Sequence, residues 1–248
     1  MSTDPYGTLG VGYATHRRTD PRIAAPIHRA LAGCASVVNI GAGAGSYEPA
    51  STVLAVESSV TMLAQRPPGA APAVRATAEA LPLADGAVDA ALAVLTVHHW
   101  ADPARGLAEL ARVARRQVVL TWDPARVQRF WLITDYLPEI GEQERGQACL
   151  HTVVGELPGP LTVVPVPVPP DCLDGFLAAH WQRPHAYLDP AVRAAASGLA
   201  RLPDAVLERG LGRLADDLTT GRWHDRHAEL LNLNELDCGY RLVVASRS

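Results

Sequence analysis

The apolar positions of this chain fall into short runs separated by stretches with helical spacing. The runs at 37–40, 52–56, about 72–75, 88–95 and 117–122 have the length of strands buried on both faces. The intervening segments 20–33, 46–49, 58–65 and 103–114 read as helices. Asp20 can cap the first of these, Pro21 suits its first turn and Gly33 can end it. The alternation predicts a doubly wound, Rossmann-like α/β sheet, mostly parallel. After Asp123 the texture changes. Residues 126–137 read as a helix with Phe130, Trp131, Ile133 and Leu137 on its apolar side, a stripe best explained as core packed on the sheet.

Residues 161–170, LTVVPVPVPP, carry Pro165, Pro167 and Pro169 at period two. Successive N–H groups of a strand point to opposite sides within the sheet. The three missing donors therefore lie on one side, and Val164, Val166 and Val168 keep theirs for the other. A strand that can pair on one side only is an edge strand, and the prolines block edge-to-edge association. Residues 238–245 (CGYRLVVA) read as a further strand. Between these two, 171–236 form a helical insertion containing DGFLAAHWQRP, PAVRAAASGLARL and DAVLERGLGRLADDL.

Candidate chemistry begins at VVNIGAGAGSYE, residues 37–48. An apolar strand runs into Gly41-Ala42-Gly43-Ala44-Gly45, where glycine permits positive φ and lets a ligand lie against the backbone. A strand, a glycine turn and a helix build a nucleotide site in open α/β sheets. The spacing is G-x-G-x-G, with the third glycine one residue too early for the dinucleotide fingerprint. Strand two ends on Glu57, where a carboxylate can accept both hydroxyls of a ribose.

These segments resemble class I S-adenosylmethionine-dependent methyltransferases, in order and spacing, over roughly residues 37–123. G-x-G-x-G is similar to the family's motif I, and Glu57-Ser58-Ser59-Val60-Thr61-Met62-Leu63 to its acidic-x-Ser-x-x-Met-Leu segment. TAEALPLADGAVD (77–89) resembles the adenine loop, AALAVLTVHHW (90–100) strand four and its tip, DPARGLAELARV (102–113) the next helix, and QVVLTWD (117–123) strand five. Among its members the chain is most similar to the small-molecule group that includes ubiquinone-pathway and trans-aconitate-like enzymes. Two departures stand out. Thr77 occupies the position of an Asp that bonds the adenine amino group, which shifts that contact toward the Ala78 backbone and Glu79. Arg115-Arg116 replace a Pro-Gly-Gly turn before strand five.

The resemblance implies S-adenosylmethionine as cofactor, S-adenosylhomocysteine as product, and a sheet of order 3-2-1-4-5-7-6 with strand seven antiparallel. That order puts strand six at the edge, as the prolines do independently. It implies cofactor contacts from Gly41, Ala42, Gly43, Gly45, Glu57, Ser58, Met62, Ala78, Glu79 and Leu95. N-terminal Tyr-x-x-x-Arg segments fold over the methionyl carboxylate in related enzymes, and Tyr13 and Arg17 have that spacing, a packed Tyr and a solvated Arg being the plain alternative. A single domain is expected over 1–248, with 1–36 covering the cofactor, 37–123 as its core and the insertion 171–236 as a lid over the acceptor.

Methyl transfer is an in-line displacement, much of whose rate comes from positioning in a dry site. A base helps when the acceptor is a hydroxyl, phenol or acidic carbon. His98, His99 and Asp123 lie at the carboxyl ends of strands four and five, where open α/β sheets bind ligands. His99 is the favoured base, and adjacent residues point opposite ways, so one of the pair faces the pocket. Trp100, Trp122, Trp181 and Tyr187 are candidates for the acceptor pocket, with core packing as the alternative for each. His180, Trp223 and His224 stand beside them with the same alternative.

Composition narrows the partners. Net charge is −4 and all 22 cationic side chains are arginine, which removes every lysine-based mechanism, including a Schiff base. Cations cluster only at Arg17-Arg18 and Arg115-Arg116, so nucleic acid is not the expected substrate. Cys34, Cys149, Cys172 and Cys238 have neither C-x-x-C nor zinc spacing, and no metal is expected. No apolar run reaches a membrane span and the polar N-terminus is not a secretory signal, so a cytoplasmic monomer or homodimer acting on a small-molecule acceptor is expected. Some proteins of this fold bind the cofactor without methyl transfer, as cyclases or partner subunits, and that alternative stays open. A nicotinamide oxidoreductase is disfavoured by the glycine spacing.

Overall fold

The computed structural model describes residues 17–246. Seven strands form one sheet: β1 (Val37–Ile40), β2 (Thr52–Glu57), β3 (Ala73–Arg75), β4 (Val88–Val94), β5 (Ala114–Trp122), β6 (Leu161–Pro165) and β7 (Tyr240–Ser246). Their order is β3-β2-β1-β4-β5-β7-β6, and β7 runs antiparallel to both of its neighbours. Strand order reverses between β1 and β4, which opens a crevice at their carboxyl ends.

The two-residue period of the strands sorts their side chains into two cores. Val37, Leu92, Val118, Leu120 and Leu242 face one side, under α1 (Pro21–Ala30) and the insertion. Val38, Ile40, Ala91, Ala93, Val119 and Val243 face the other, under α3 (Pro103–Val113) and α6 (Leu150–Glu156). Both faces are apolar because both are covered. Asp20 caps α1 by accepting from Arg22 N at 2.9 Å, and Gly33 turns the chain away at φ +81°.

The proline strand lies at the edge. β6 pairs with β7 from Leu161↔Ala245 to Pro165↔Arg241. Beyond the ladder, Val166 N donates to Tyr240 O at 3.0 Å and Val168 N to Leu236 O at 2.9 Å, so the valine donors all turn to the one side that has a partner. α3 runs straight into β5: Val113 ends the helix and Ala114 opens the strand, which is how the chain does without a Pro-Gly-Gly turn.

Three helices differ from expectation. Residues 46–49 are turns, with Tyr47 at φ +67°. Pro49 disfavours α backbone at Glu48, and four residues cannot nucleate a helix unaided. Helix 58–65 shortens to α2 (Val60–Leu63), where Ser59 is the cap and accepts from Met62 N at 3.4 Å. Segment 126–137 splits into α4 (Pro124–Val127) and a π-turn over Leu132–Tyr136, yet Phe130, Trp131, Ile133 and Leu137 are all buried as core. Next come α5 (Glu139–Glu144) and then α6. The region 171–236 carries α7 (Pro190–Ala195), α8 (Ser197–Ala200), α9 (Asp204–Thr219) and α10 (Arg222–Arg226), and Trp131 packs edge-on against Trp223 beneath them at 5.2 Å between centroids.

Candidate active site

A cavity of about 590 Å³ fills the crevice at the carboxyl ends of β1 and β4. One wall is the glycine loop. Gly41 and Gly43 take φ +62° and +53°. A Cβ on Gly41 would overlap the buried Thr96 side chain, which stands at the tip of β4. Gly41→Ala should therefore cost about 1–3 kcal/mol of stability through overpacking, read by denaturant unfolding; an unchanged midpoint would mean that Thr96 can retreat.

Glu57 ends β2 and holds this loop from below. Its Oε2 accepts from Gly43 N and its Oε1 from Ser59 N, both at 2.8 Å. The Ser58 hydroxyl also donates to Oε1 at 3.5 Å, and since a carboxylate has about four acceptor positions, one remains for a donor in the cavity. Asn39 on β1 donates Nδ2 to Glu48 Oε1 at 3.0 Å and leaves its buried Oδ1 unpaired at the cavity wall. Tyr47 and Leu95 have positive φ without being glycine, and both border the cavity. Such backbone is concentrated where surrounding structure holds it for a purpose. Tyr47 is fixed three ways: its N–H donates to Thr19 Oγ1 at 3.0 Å, its carbonyl lies 3.2 Å from His28 Nε2, and its hydroxyl donates to Asp174 at 2.6 Å.

Most of the expected cofactor residues meet here. Arg17, Gly41, Ala42, Gly43, Glu57, Ser58, Met62, Ala78, Glu79 and Leu95 line this cavity, together with His99 and Trp100. Gly45 does not; it turns the loop at φ +96° beside Arg66, which is ion-paired to Glu48 at 2.7 Å. Tyr13 lies outside the described residues.

A second, smaller pocket of about 60 Å³ adjoins the first, and the two share Arg17, Leu95 and His99. Its walls combine the tips of β4 and β5, through His98 and Trp122, with Glu144 of α5, Phe176, Gly198 and Arg201. The His98 ring stacks near His99 at 3.7 Å and meets Trp122 edge-on at 4.5 Å. Burial and the nearby Arg201 and Arg17 push His99 down to about 3, and burial with His99 as neighbour pushes His98 well below its ordinary value. Both rings are neutral at pH 7. Burial pushes Glu144 the other way, up to about 7.

Three expected residues lie elsewhere. Asp123 caps α4, accepting from Ala125 N at 3.0 Å, and lines neither cavity: the turn after β5 uses its carboxylate for the backbone. Trp181 is fully buried and donates Nε1–H to Val168 O at 3.0 Å, which ties the insertion to the proline segment. Tyr187 is buried and donates to Leu177 O at 2.7 Å. Both aromatics pack as core. His180 and Trp223 line neither cavity.

Several residues were missed. Asn39 had a signal, a polar residue inside the buried run VVNI. Glu144 had none, because EIGEQE reads as an exposed helix. Arg201 and Asp174 sit in segments whose placement depends on the finished fold.

A family model described as a methyltransferase domain matches residues 32–121. The chain is similar to a protein of Anabaena variabilis described as a methyltransferase from an antibiotic biosynthesis pathway: 31% identity, 94% of this chain and 100% of that chain covered, TM-score 0.86. It also resembles the 4+2 cyclase SpnF at 16% identity, over 91% of this chain and 80% of that chain, with a TM-score of 0.50, a likeness of fold alone. No curated protein matches the chain. The glycine loop, the acidic tip of β2 and the strand order agree with these matches, and the cofactor they imply is S-adenosylmethionine. The chain belongs to the class I S-adenosylmethionine-dependent methyltransferases.

Proposed function

We propose that the protein methylates a small-molecule acceptor that enters the second pocket. The observation that carries this reading is the junction of the two cavities at Arg17, Leu95 and His99. In this reading Glu57 takes the ribose hydroxyls, Ala78 and Glu79 border the adenine, and Arg17 with the Gly41–Gly43 loop receives the methionyl end. The bound cofactor supplies a methyl group on a sulfonium. Trp100 borders the first cavity, and Trp122 with Phe176 gives the acceptor pocket its apolar walls.

A pocket of about 60 Å³ suits the reacting end of a small molecule, several times the space one water needs. Phe176, Leu177, Gly198 and Arg201, which wall it on one side, all come from 171–236. That supports the insertion as a lid over the acceptor. No helix of the described residues is long and apolar enough to cross a membrane.

The test is to incubate the protein with isotopically labelled S-adenosylmethionine and a small-metabolite extract. The expected result is release of S-adenosylhomocysteine and a product heavier by one methylene. Cofactor bound but never consumed would favour binding without transfer. Label appearing only in protein or nucleic acid would defeat the small-molecule reading.

A further inference from the structure

Among the described residues, three that line the second pocket each carry a buried polar atom without a hydrogen-bond partner. The atoms are Nδ1 of His98, Nε1 of Trp122 and Oε2 of Glu144. Leaving a buried polar group unpaired costs about 1–3 kcal/mol, more when it carries charge. Three such residues around one small pocket define the hydrogen-bonding chemistry it would accept. Trp122 Nε1–H can only donate. An ionised Glu144 can only accept. His98 does either, according to its tautomer.

A hydroxyl fits this set, because it has one proton to give and two lone pairs to receive. An ammonium group has no lone pair for Trp122. A carboxylate has no proton for Glu144 and would face its charge. A saturated carbon satisfies neither. Arg17 and Arg201 border the same pocket and would stabilise negative charge growing on an oxygen there.

Resting on the methyl-transfer reading, we propose that the acceptor is an alcohol or phenol whose hydroxyl sits in this pocket, with Trp122 donating to its oxygen and Glu144 accepting its proton. As transfer proceeds, a lone pair of the acceptor oxygen forms the bond to the methyl carbon, the carbon–sulfur pair leaves on sulfur, and the hydroxyl proton passes to the Glu144 carboxylate. Glu144 then returns that proton to solvent. His99 is poorly suited to this step, since a ring that protonates only near pH 3 holds a proton weakly. A carboxylate that ionises near 7 is matched to the task. The charged and titratable groups facing Glu144 are Arg201, Arg17, Tyr240, His98 and His99. Burial, with the two arginines adding to it, keeps the histidines neutral, so neither ring competes for the proton.

Phenol, aniline and toluene serve as probes, bound to protein saturated with S-adenosylhomocysteine and measured by calorimetry. Phenol should bind at least about tenfold tighter than toluene, the value of one hydrogen bond to a charged group. Glu144→Leu should erase that preference, and Trp122→Phe should reduce it. Glu144→Gln keeps an acceptor and should retain most of it, yet should methylate phenol about 10²–10⁴-fold more slowly with cofactor affinity unchanged. Thermal melting gives a readout independent of turnover. Glu144 ionises near 4.5 in the unfolded chain and near 7 in the folded one. The folded state therefore holds the extra proton between those values, and wild type loses stability relative to Glu144→Gln as pH rises from about 4.5 to about 7. Any histidine titration occurs in both proteins and cancels in the difference.

Phenol binding no better than toluene, aniline preferred to phenol, a preference that survives Glu144→Leu, undiminished turnover in Glu144→Gln, or melting curves that stay parallel from pH 5 to 8 would each overturn the assignment. Failure to bind S-adenosylhomocysteine at all would instead remove the reading beneath it.

Discussion

Glu57→Ala should weaken S-adenosylhomocysteine binding about 10- to 100-fold, a loss of roughly 1.5–3 kcal/mol for a charge-assisted hydrogen bond. The carboxylate acts twice. It accepts from Gly43 N and Ser59 N, which fixes the glycine loop against the tip of β2. In the proposed reading it also keeps an acceptor position for a ribose hydroxyl, a second being open if Ser58 turns away. Glu57→Gln is intermediate: its one oxygen can still hold Gly43 N, but its amide NH2 then faces the Ser59 N–H and presents a donor where a ribose needs an acceptor. Gln should therefore lower the melting temperature less than Ala does while also losing affinity. Calorimetric titration and thermal melting on the same samples check the pair. Full affinity in a folded Glu57→Ala protein would take the carboxylate out of the cofactor site.

How much of this was readable in the chain depends on whether the physical constraint was local. The edge position of β6 was accessible because prolines at period two leave a strand only one side to pair on, and Val166 and Val168 donate toward that side; the full strand order came from the family resemblance. The glycine-loop wall of the larger cavity was accessible because a tight glycine turn and an acidic strand tip are both sequence-adjacent features. The 46–49 helix was misread because Pro49, which disfavours α backbone at Glu48, was given too little weight; Tyr47 is then held in place by Asp174, 127 residues away. Trp181 and Tyr187 looked like pocket aromatics, yet each hydroxyl or indole N–H found a backbone carbonyl in the core. The second pocket, the proposed acceptor site, was the least legible part. It is assembled from β4, β5, α5 and the insertion, and Glu144 reveals its burial only once α5 packs on α8.

Asp174→Ala is expected to have the largest effect on stability of any single change outside the sheet. This carboxylate is fully buried at the start of the insertion and gathers three donors: Arg17 Nε at 2.7 Å, the Tyr47 hydroxyl at 2.6 Å and Gly175 N at 2.7 Å. It joins the segment before α1, the glycine loop and the insertion at one point. Burial and the adjacent Asp174 charge push the Tyr47 phenol well above its ordinary range, so the hydroxyl stays a donor. Removing one partner of a buried charge pair leaves the other unsatisfied, at a cost of about 3–5 kcal/mol. Asp174→Asn, which preserves one acceptor, should cost less. Tyr47→Phe should cost only about 1–2 kcal/mol, since it deletes one donor and leaves Arg17 paired. The double variant separates shared from independent effects: coupling through the common carboxylate predicts a loss smaller than the sum. Cofactor affinity should follow Arg17. Asp174→Ala removes the carboxylate that positions the Arg17 guanidinium beside both cavities and should weaken S-adenosylhomocysteine binding, whereas Tyr47→Phe should change it little. Denaturant unfolding of the four variants and their cofactor titrations decide the matter. An Asp174→Ala protein within 1 kcal/mol of wild type would show that the insertion is anchored elsewhere and that Arg17 holds its position without it.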